Sequence, residues 1–238
     1  MKTSSAQPSG TEIQTMFDRL APRYDRFNKL VSLGMDRLWR EEVLKNVRDG
    51  ERVLDLGCGT GDLAIGAAQK MKSGEVVGLD FSASMLEIAR NRAWKRLGAG
   101  VKVSFVRGAA EELPLEGSRF DLVVSGFVLR NIYERIGRVM RGVHQTLIPG
   151  GRIAFVDFTE PPTGARKALW KTYMNTVGAA IGWSVFGKQY PSFYLTDSAK
   201  RFLKPEEFCS LLRDAGFSNI RLKRFMMGII VLYEADKA

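Results

Sequence analysis

A glycine-dense turn, Asp55-Leu56-Gly57-Cys58-Gly59-Thr60-Gly61, joins the apolar run Arg52-Val53-Leu54 to a segment of helical pattern from Leu63 to Met71. A strand that ends in such a turn and opens directly into a helix fits an open sheet whose strand ends approach a ligand. Glycine lets backbone pass under that ligand where a Cβ would collide, and the helix start points free N–H groups at it. The surrounding chain repeats this unit. Apolar runs at Arg52 to Leu56, Val76 to Asp80, Val101 to Val106, Phe120 to Ser125 and Arg152 to Asp157 predict five strands. Helical segments at Leu63 to Met71, Ser84 to Arg96 and Arg135 to Leu147 separate them, the last ended by Pro149-Gly150-Gly151. Valine-rich strands with helical crossovers predict an α/β fold, a doubly wound and mostly parallel sheet covered on both faces.

Flanking segments divide the chain further. Residues 1–10 read as a disordered polar leader without the apolar stretch of a signal peptide. Residues 11–238 read as one domain: an N-terminal helical lid (11–50), a core (51–160), a cap insertion (161–200) and a closing helix and strand pair (201–238). Glu12 to Leu20 and Met35 to Val47 carry helical periodicity, and Lys204 to Ala215 is a helix opened by Pro205. Ile220 to Phe225 and Gly228 to Tyr233 form the closing pair. The cap holds Trp170, Tyr173, Trp183, Tyr190 and Tyr194, apolar surface for a greasy ligand or a small core of its own.

Of the 238 residues 45% are hydrophobic, enough for a sizeable core, and no run of 18 apolar residues predicts a membrane span. The net charge of +10 concentrates in residues 161–238, with twelve Lys/Arg against six Asp/Glu. A basic surface there concentrates anionic lipid, nucleic acid or a phosphorylated metabolite, or is simply a solvated face. No aromatic-basic RNA-reading signature accompanies it, and no nucleic-acid partner is expected. Cys58 and Cys209 lie far apart with no Cys/His spacing, so no metal site is expected and a reducing cytoplasm is the expected compartment.

The glycine turn specifies chemistry through two acids. Asp55 precedes the first glycine by two residues, and Asp80 closes the next strand, where a carboxylate accepts hydrogen bonds from ribose hydroxyls. The spacing G-x-G-x-G differs from the dinucleotide G-x-G-x-x-G. A carboxylate at Asp55 repels a pyrophosphate and attracts a sulfonium and its amino-acid end, so S-adenosylmethionine is the expected cofactor. Cys58 is a small residue filling the bend, Gly66 serves helix packing, and Met85 either lines the adenine pocket or packs in the core.

Together, Leu54 to Gly61 and Gly78-Leu79-Asp80-Phe81-Ser82 resemble motifs I and II of class I methyltransferases. Ala110-Glu111-Glu112-Leu113-Pro114, Phe120 to Val124 and Leu147 to Gly151 resemble their later signatures. The resemblance implies a Rossmann-like sheet of seven strands, the last antiparallel. It implies cofactor contacts at Asp55, Gly57, Gly59, Thr60, Gly61, Asp80, Phe81 and Met85, and at Ala109, Ala110 and Gly126. Met16 to Asn28, Ser32-Leu33-Gly34, Trp39-Arg40, Phe127 to Asn131 and Asp157 to Pro161 resemble the ubiquinone/menaquinone C-methyltransferases. So do Phe193-Tyr194-Leu195, Asp197-Ser198, Ala215-Gly216-Phe217 and Gly228-Ile229. Ala109 and Gly126 stand where that family has Asn and Ser, and Phe202 to Pro205 replaces its F-P segment.

That resemblance implies C-methylation of a demethylmenaquinol- or demethylubiquinol-type ring. Arg130 is the residue expected to hold a phenolate, or else to close the loop in an ion pair, and Asn131 to orient it. Tyr24 and Asn28 are expected to close over the cofactor, and Tyr194 to meet the acceptor. His144, in the helix before Pro149, is expected to pack rather than act as a base. Expected partners are a lipid-soluble quinol and an anionic membrane at the inner face of the cell membrane, with a homodimer left open. Other readings are a different lipid-like or phenolic acceptor, an RNA methyltransferase, and a non-catalytic cofactor-binding protein.

Overall fold

The computed structural model describes residues 10–98, 100–113, 119–161, 164–187, 190, 197–199 and 202–238, with no side-chain description for residues 10 and 11. Seven strands form one sheet in the order β3-β2-β1-β4-β5-β7-β6. These are β1 (Arg52–Leu56), β2 (Glu75–Asp80), β3 (Lys102–Arg107), β4 (Phe120–Gly126), β5 (Leu147–Phe158), β6 (Phe217–Phe225) and β7 (Ile230–Lys237). β1 to β5 pair in parallel, and β7 runs antiparallel to both β5 and β6.

Alternation along the strands builds two cores. Leu54, Val77, Val123, Ile153 and Tyr233 point to one face and meet Met140 and Val143 of α5 (Ile136–Thr146) and Phe208 of α8 (Pro205–Asp214). Val53, Val76, Leu122, Ala154 and Leu232 point to the other and meet α2 (Asp36–Leu44), α3 (Asp62–Lys70) and α6 (Ala165–Tyr173). α4 (Ala83–Arg96) is N-capped by Ser82, whose Oγ accepts the Met85 N–H at 3.2 Å. A π turn (Met174–Gly178) links α6 to α7 (Ala179–Phe186). Strand order reverses between β1 and β4, and this switch point opens a crevice at the carboxyl ends of the strands.

Several boundaries differ from the sequence expectations. α1 spans Gly10–Val31, far beyond Leu20, and passes through Pro22. The proline sits on the exposed side while the inward side continues through Tyr24 and Phe27, so tertiary packing overrides the break. Since α1 begins at Gly10, the expected leader lies, apart from that residue, outside the described residues. α2 stops at Leu44 rather than Val47. β5 starts at Leu147, but its register on β4 jumps from Leu147 to Arg152, so Ile148 to Gly151 bulge out where the turn was expected. β7 starts at Ile230 because Met226–Gly228 forms a short 3₁₀ turn. Gly66 has a packing reason: a Cβ there would lie 2.6 Å from Leu44.

Candidate active site

A cavity of about 600 Å³ occupies the switch point, beneath α1. Asp55, Gly57, Gly59, Thr60, Asp80 and Phe81 line its β1–β2 side. Met85, Ala109 and Ala110 lie farther along it, and Gly126, Arg130 and Asn131 line the β4 side. Tyr24 closes it from α1. Gly61 and Asn28 are not among its lining residues, contrary to expectation. Gly61 faces α3 and α4, and the Asn28 carbonyl accepts the Ser32 N–H within the lid. Tyr194 lies outside the described residues.

The glycine turn differs in its reasons from the sequence reading. Gly57, Gly59 and Gly61 have φ of 69°, 51° and 86°, a region open chiefly to glycine. A Cβ on Gly57, however, would meet Val128 at 2.5 Å, and one on Gly61 would meet Ala89 at 3.0 Å. Protein packing, not a ligand, excludes those side chains. Only Gly59 faces open space, with nothing within 4 Å, so a ligand can pass closely there.

Asp55 is 1% exposed. Its Oδ2 accepts the Ala64 N–H at 2.8 Å, while Oδ1 is buried with no hydrogen-bond partner. Burial, aided by the neighbouring Asp80 and Asp62, pushes its carboxyl up to about 8. The geometry suits a positively charged ligand, because a cation would satisfy the orphaned oxygen and restore the carboxylate. Asp80 takes the Gly59 N–H on Oδ2 and the Ser82 N–H on Oδ1, each at 2.8 Å. Burial raises its pKa as well. A carboxylate has about four acceptor sites, so acceptor capacity remains for a ribose hydroxyl. Phe17, Phe81 and Met85 give the adjoining wall an apolar, aromatic character, with Phe17 and Phe81 edge-to-face at 6.0 Å. Met85 thus packs in a small core and lines the cavity at once.

On the β4 side the buried charges are paired within the fold. Arg130, 3% exposed, donates through Nη1 to Asp157 Oδ1 and to the Phe127 carbonyl, both at 2.7 Å. Its backbone N–H donates to Asp157 Oδ2 at 3.1 Å, and its guanidinium stands 5.3 Å from the Phe158 ring centre. Burial raises the Asp157 pKa, opposed by Arg130. The ion-pair alternative for Arg130 is therefore the arrangement observed. Asn131 closes the adjoining 3₁₀ turn through its N–H to Val128. His144 lies on α5 against Phe217, ring centres 5.1 Å apart, where burial lowers its pKa. Among the described residues no cluster of His, Cys, Asp or Glu could hold a metal ion.

Sequence reasoning missed a charged seam beside the turn. Asp25 of α1 accepts the Thr60 hydroxyl at 2.7 Å and pairs with Arg92 at 2.9 Å. Arg92 continues to Asp62, and Arg40 bridges Asp62 and Asp36. Four helices contribute, so no local spacing could reveal it. The one available signal was that Asp25 and Arg40 fall inside segments already carrying the family resemblance.

The ubiE/COQ5 methyltransferase family matches residues 3–237. The demethylmenaquinone methyltransferase of Lactiplantibacillus plantarum is 35% identical over 229 residues, covering 94% of this chain and 95% of the relative. The 2-phytyl-1,4-naphtoquinone methyltransferase of Nostoc punctiforme is 33% identical, covering 93% and 97%. The fold resembles magnesium protoporphyrin IX methyltransferase (ChlM) from Synechocystis PCC 6803 with bound SAH, at TM-score 0.68 and 20% identity, covering 96% and 99%.

Proposed function

The chain belongs to the ubiE/COQ5 methyltransferase family, and from that premise we propose that it C-methylates a lipid-soluble quinol of the demethylmenaquinol or demethylubiquinol type, with S-adenosylmethionine as donor. The observation carrying this reading is the orphaned Asp55 Oδ1 on the floor of a cavity whose other side is already charge-balanced. When bound, S-adenosylmethionine supplies a methyl group on a positively charged sulfur. Asp55 attracts that end of the molecule, Asp80 takes the ribose hydroxyls on its remaining acceptor capacity, and Gly59 passes beneath them. Phe17, Phe81 and Met85, with Ala109 and Ala110, form an apolar slot for the base.

On the other side, Arg130 and Asp157 lock the loop 126–131 into one shape. The guanidinium is committed to Asp157 and acts as a positioning group, not as the phenolate clamp expected from sequence. Asn131 and Tyr24 present polar groups toward the acceptor. Rate then comes chiefly from holding the ring carbon in line with the methyl group. Peripheral membrane contact belongs to the same proposal. Residues 164–187 carry three cations and no acid, and expose Leu169 (63%) and Trp183 (71%). Among the described residues no helix is long and apolar enough to cross a membrane.

Incubation with labelled S-adenosylmethionine and a panel of demethylquinols tests the reading. Transfer to a quinol ring carbon is expected. Normal donor binding without transfer to any quinol would overturn the acceptor. Flotation with anionic vesicles should carry the protein upward, and protein left wholly in the dense fraction would remove the membrane contact.

A further inference from the structure

The first helix roofs the cavity, and its two halves are held differently. Gln14, Phe17, Asp18, Ala21, Tyr24 and Asp25 recur at steps of three and four, so one stripe of α1 faces the loops after β1 and β2. The second half is built into the cap. Arg23 Nη1 donates to the Val185 carbonyl at 3.0 Å, Phe27 stands 5.2 Å from Phe186, and the Tyr173 hydroxyl donates to the Val31 carbonyl at 2.9 Å. Asp25 adds its bonds to Thr60 and Arg92.

The first half rests on Met85, Phe81 and Ile88 through Phe17 and Ala21. It is also caught by a carboxylate: Asp18 Oδ1 accepts the Ser82 hydroxyl and, at 3.4 Å, the Ser84 N–H. Between the halves lies Pro22. Proline has no N–H to give the Asp18 carbonyl, and its ring crowds that turn, so the helix is weakest there.

We propose that the first three turns of α1 form a gate on the cofactor cavity, hinged at Pro22 and caught on the β2 loop by Asp18. The proposal rests on reading this cavity as the nucleoside site. Ser82 is the shared node. Its N–H donates to Asp80 Oδ1, and its hydroxyl donates to Asp18 while accepting from Met85 N–H. With the catch closed, Ser82 holds the carboxylate that would bind the ribose hydroxyls, and Phe17 covers the base slot. Opening at Pro22 lifts Gln14 and Phe17 away and leaves the second half in place. A ligand bonded to Asp80 orders Ser82 and so favours the caught state. Asp18 is accordingly a positioning residue that sets how long the cofactor stays.

Hinge and catch predict opposite effects from two single substitutions, read by stopped-flow release of S-adenosylhomocysteine from the full chain. Asp18→Ala removes the catch and should speed release about ten-fold, the scale of one lost hydrogen bond to a charged group. Asp18→Asn keeps an acceptor oxygen and should restore most of the wild-type residence time. Pro22→Ala supplies the missing N–H, stiffens the joint and should slow release, with an unchanged or raised Tm. Equal shifts in the same direction, or no shift in either Asp18→Ala or Pro22→Ala, overturn the gate. Failure of the wild-type chain to bind S-adenosylhomocysteine overturns the site reading itself, and the gate with it.

Discussion

Two buried carboxylates, Asp55 lining the cavity on its β1–β2 side and Asp157 at the end of β5 behind the β4 loop, are each 1% exposed and stand in opposite circumstances. Asp157 has its cation within the fold: Arg130 contributes both a side-chain and a backbone donor. Asp55 has one backbone donor and an oxygen with no partner. The Arg130–Asp157 side is charge-balanced as folded and supplies shape. The Asp55 side lacks a paired cation as folded, and the missing charge is one a ligand can bring. On the proposed reading, one side is kept rigid for the acceptor and the other is left dependent on the donor.

Substitutions should separate the halves, one through stability and the other through binding. Asp157→Ala leaves the Arg130 guanidinium buried without its carboxylate and should lower folding stability by about 3–5 kcal/mol, measured by urea denaturation. A loss near zero would show that water already screens the pair, and would erase the contrast. Asp80→Ala, which strips the Gly59 and Ser82 N–H groups of their acceptor, should cost less stability than Asp157→Ala but weaken S-adenosylhomocysteine binding by about 1–3 kcal/mol in calorimetry. Unchanged affinity would remove Asp80 from the site.

The pH dependence of Asp55 sharpens the contrast further. Its folded carboxyl titrates near 8, well above the ordinary range near 4. The folded chain therefore keeps a proton that the unfolded chain releases, so stability without ligand should fall as pH rises from about 4 to about 8. Binding of S-adenosylmethionine should tighten over the upper part of that window, because the cation selects the ionised form. Asp55→Asn should reduce both trends, the raised Asp80 and Asp157 carboxyls keeping a shallower stability slope of the same sign, and slopes unchanged in this variant would assign them to other groups. Asn28→Ala, off the cavity, should change stability and donor affinity by less than about 0.5 kcal/mol, and a larger loss of affinity would return it to the site.

The sheet was legible because its strands are buried on both faces, which forces runs such as Val76-Val77 and Val123-Val124 into otherwise mixed sequence. Asp55, Asp80 and the glycine turn were legible because chain proximity encodes them: all lie at the ends of adjacent strands. The length of α1 was not, since Pro22 signals a break locally and only the inward stripe through Phe27 overrides it. The Arg130–Asp157 pair joins residues 27 apart and could be posed only as an alternative. The Asp25–Arg92–Asp62–Arg40 seam draws on four helices, and no periodicity records such a meeting. Glycine identity was visible at residues 57 and 61, but the neighbours that enforce it, Val128 and Ala89, come from distant segments.

The contact between Gly57 and Val128 carries a consequence for redesign. On the proposed reading, the loop 127–131, which lines the cavity, is the place to retarget the chain toward a different ring. At position 128, however, the side chain already fills the space a Cβ on Gly57 would need, so enlargement pushes on the donor turn directly. Variants there should show epistasis between acceptor choice and donor affinity, and libraries should explore smaller residues at 128 while varying its neighbours freely.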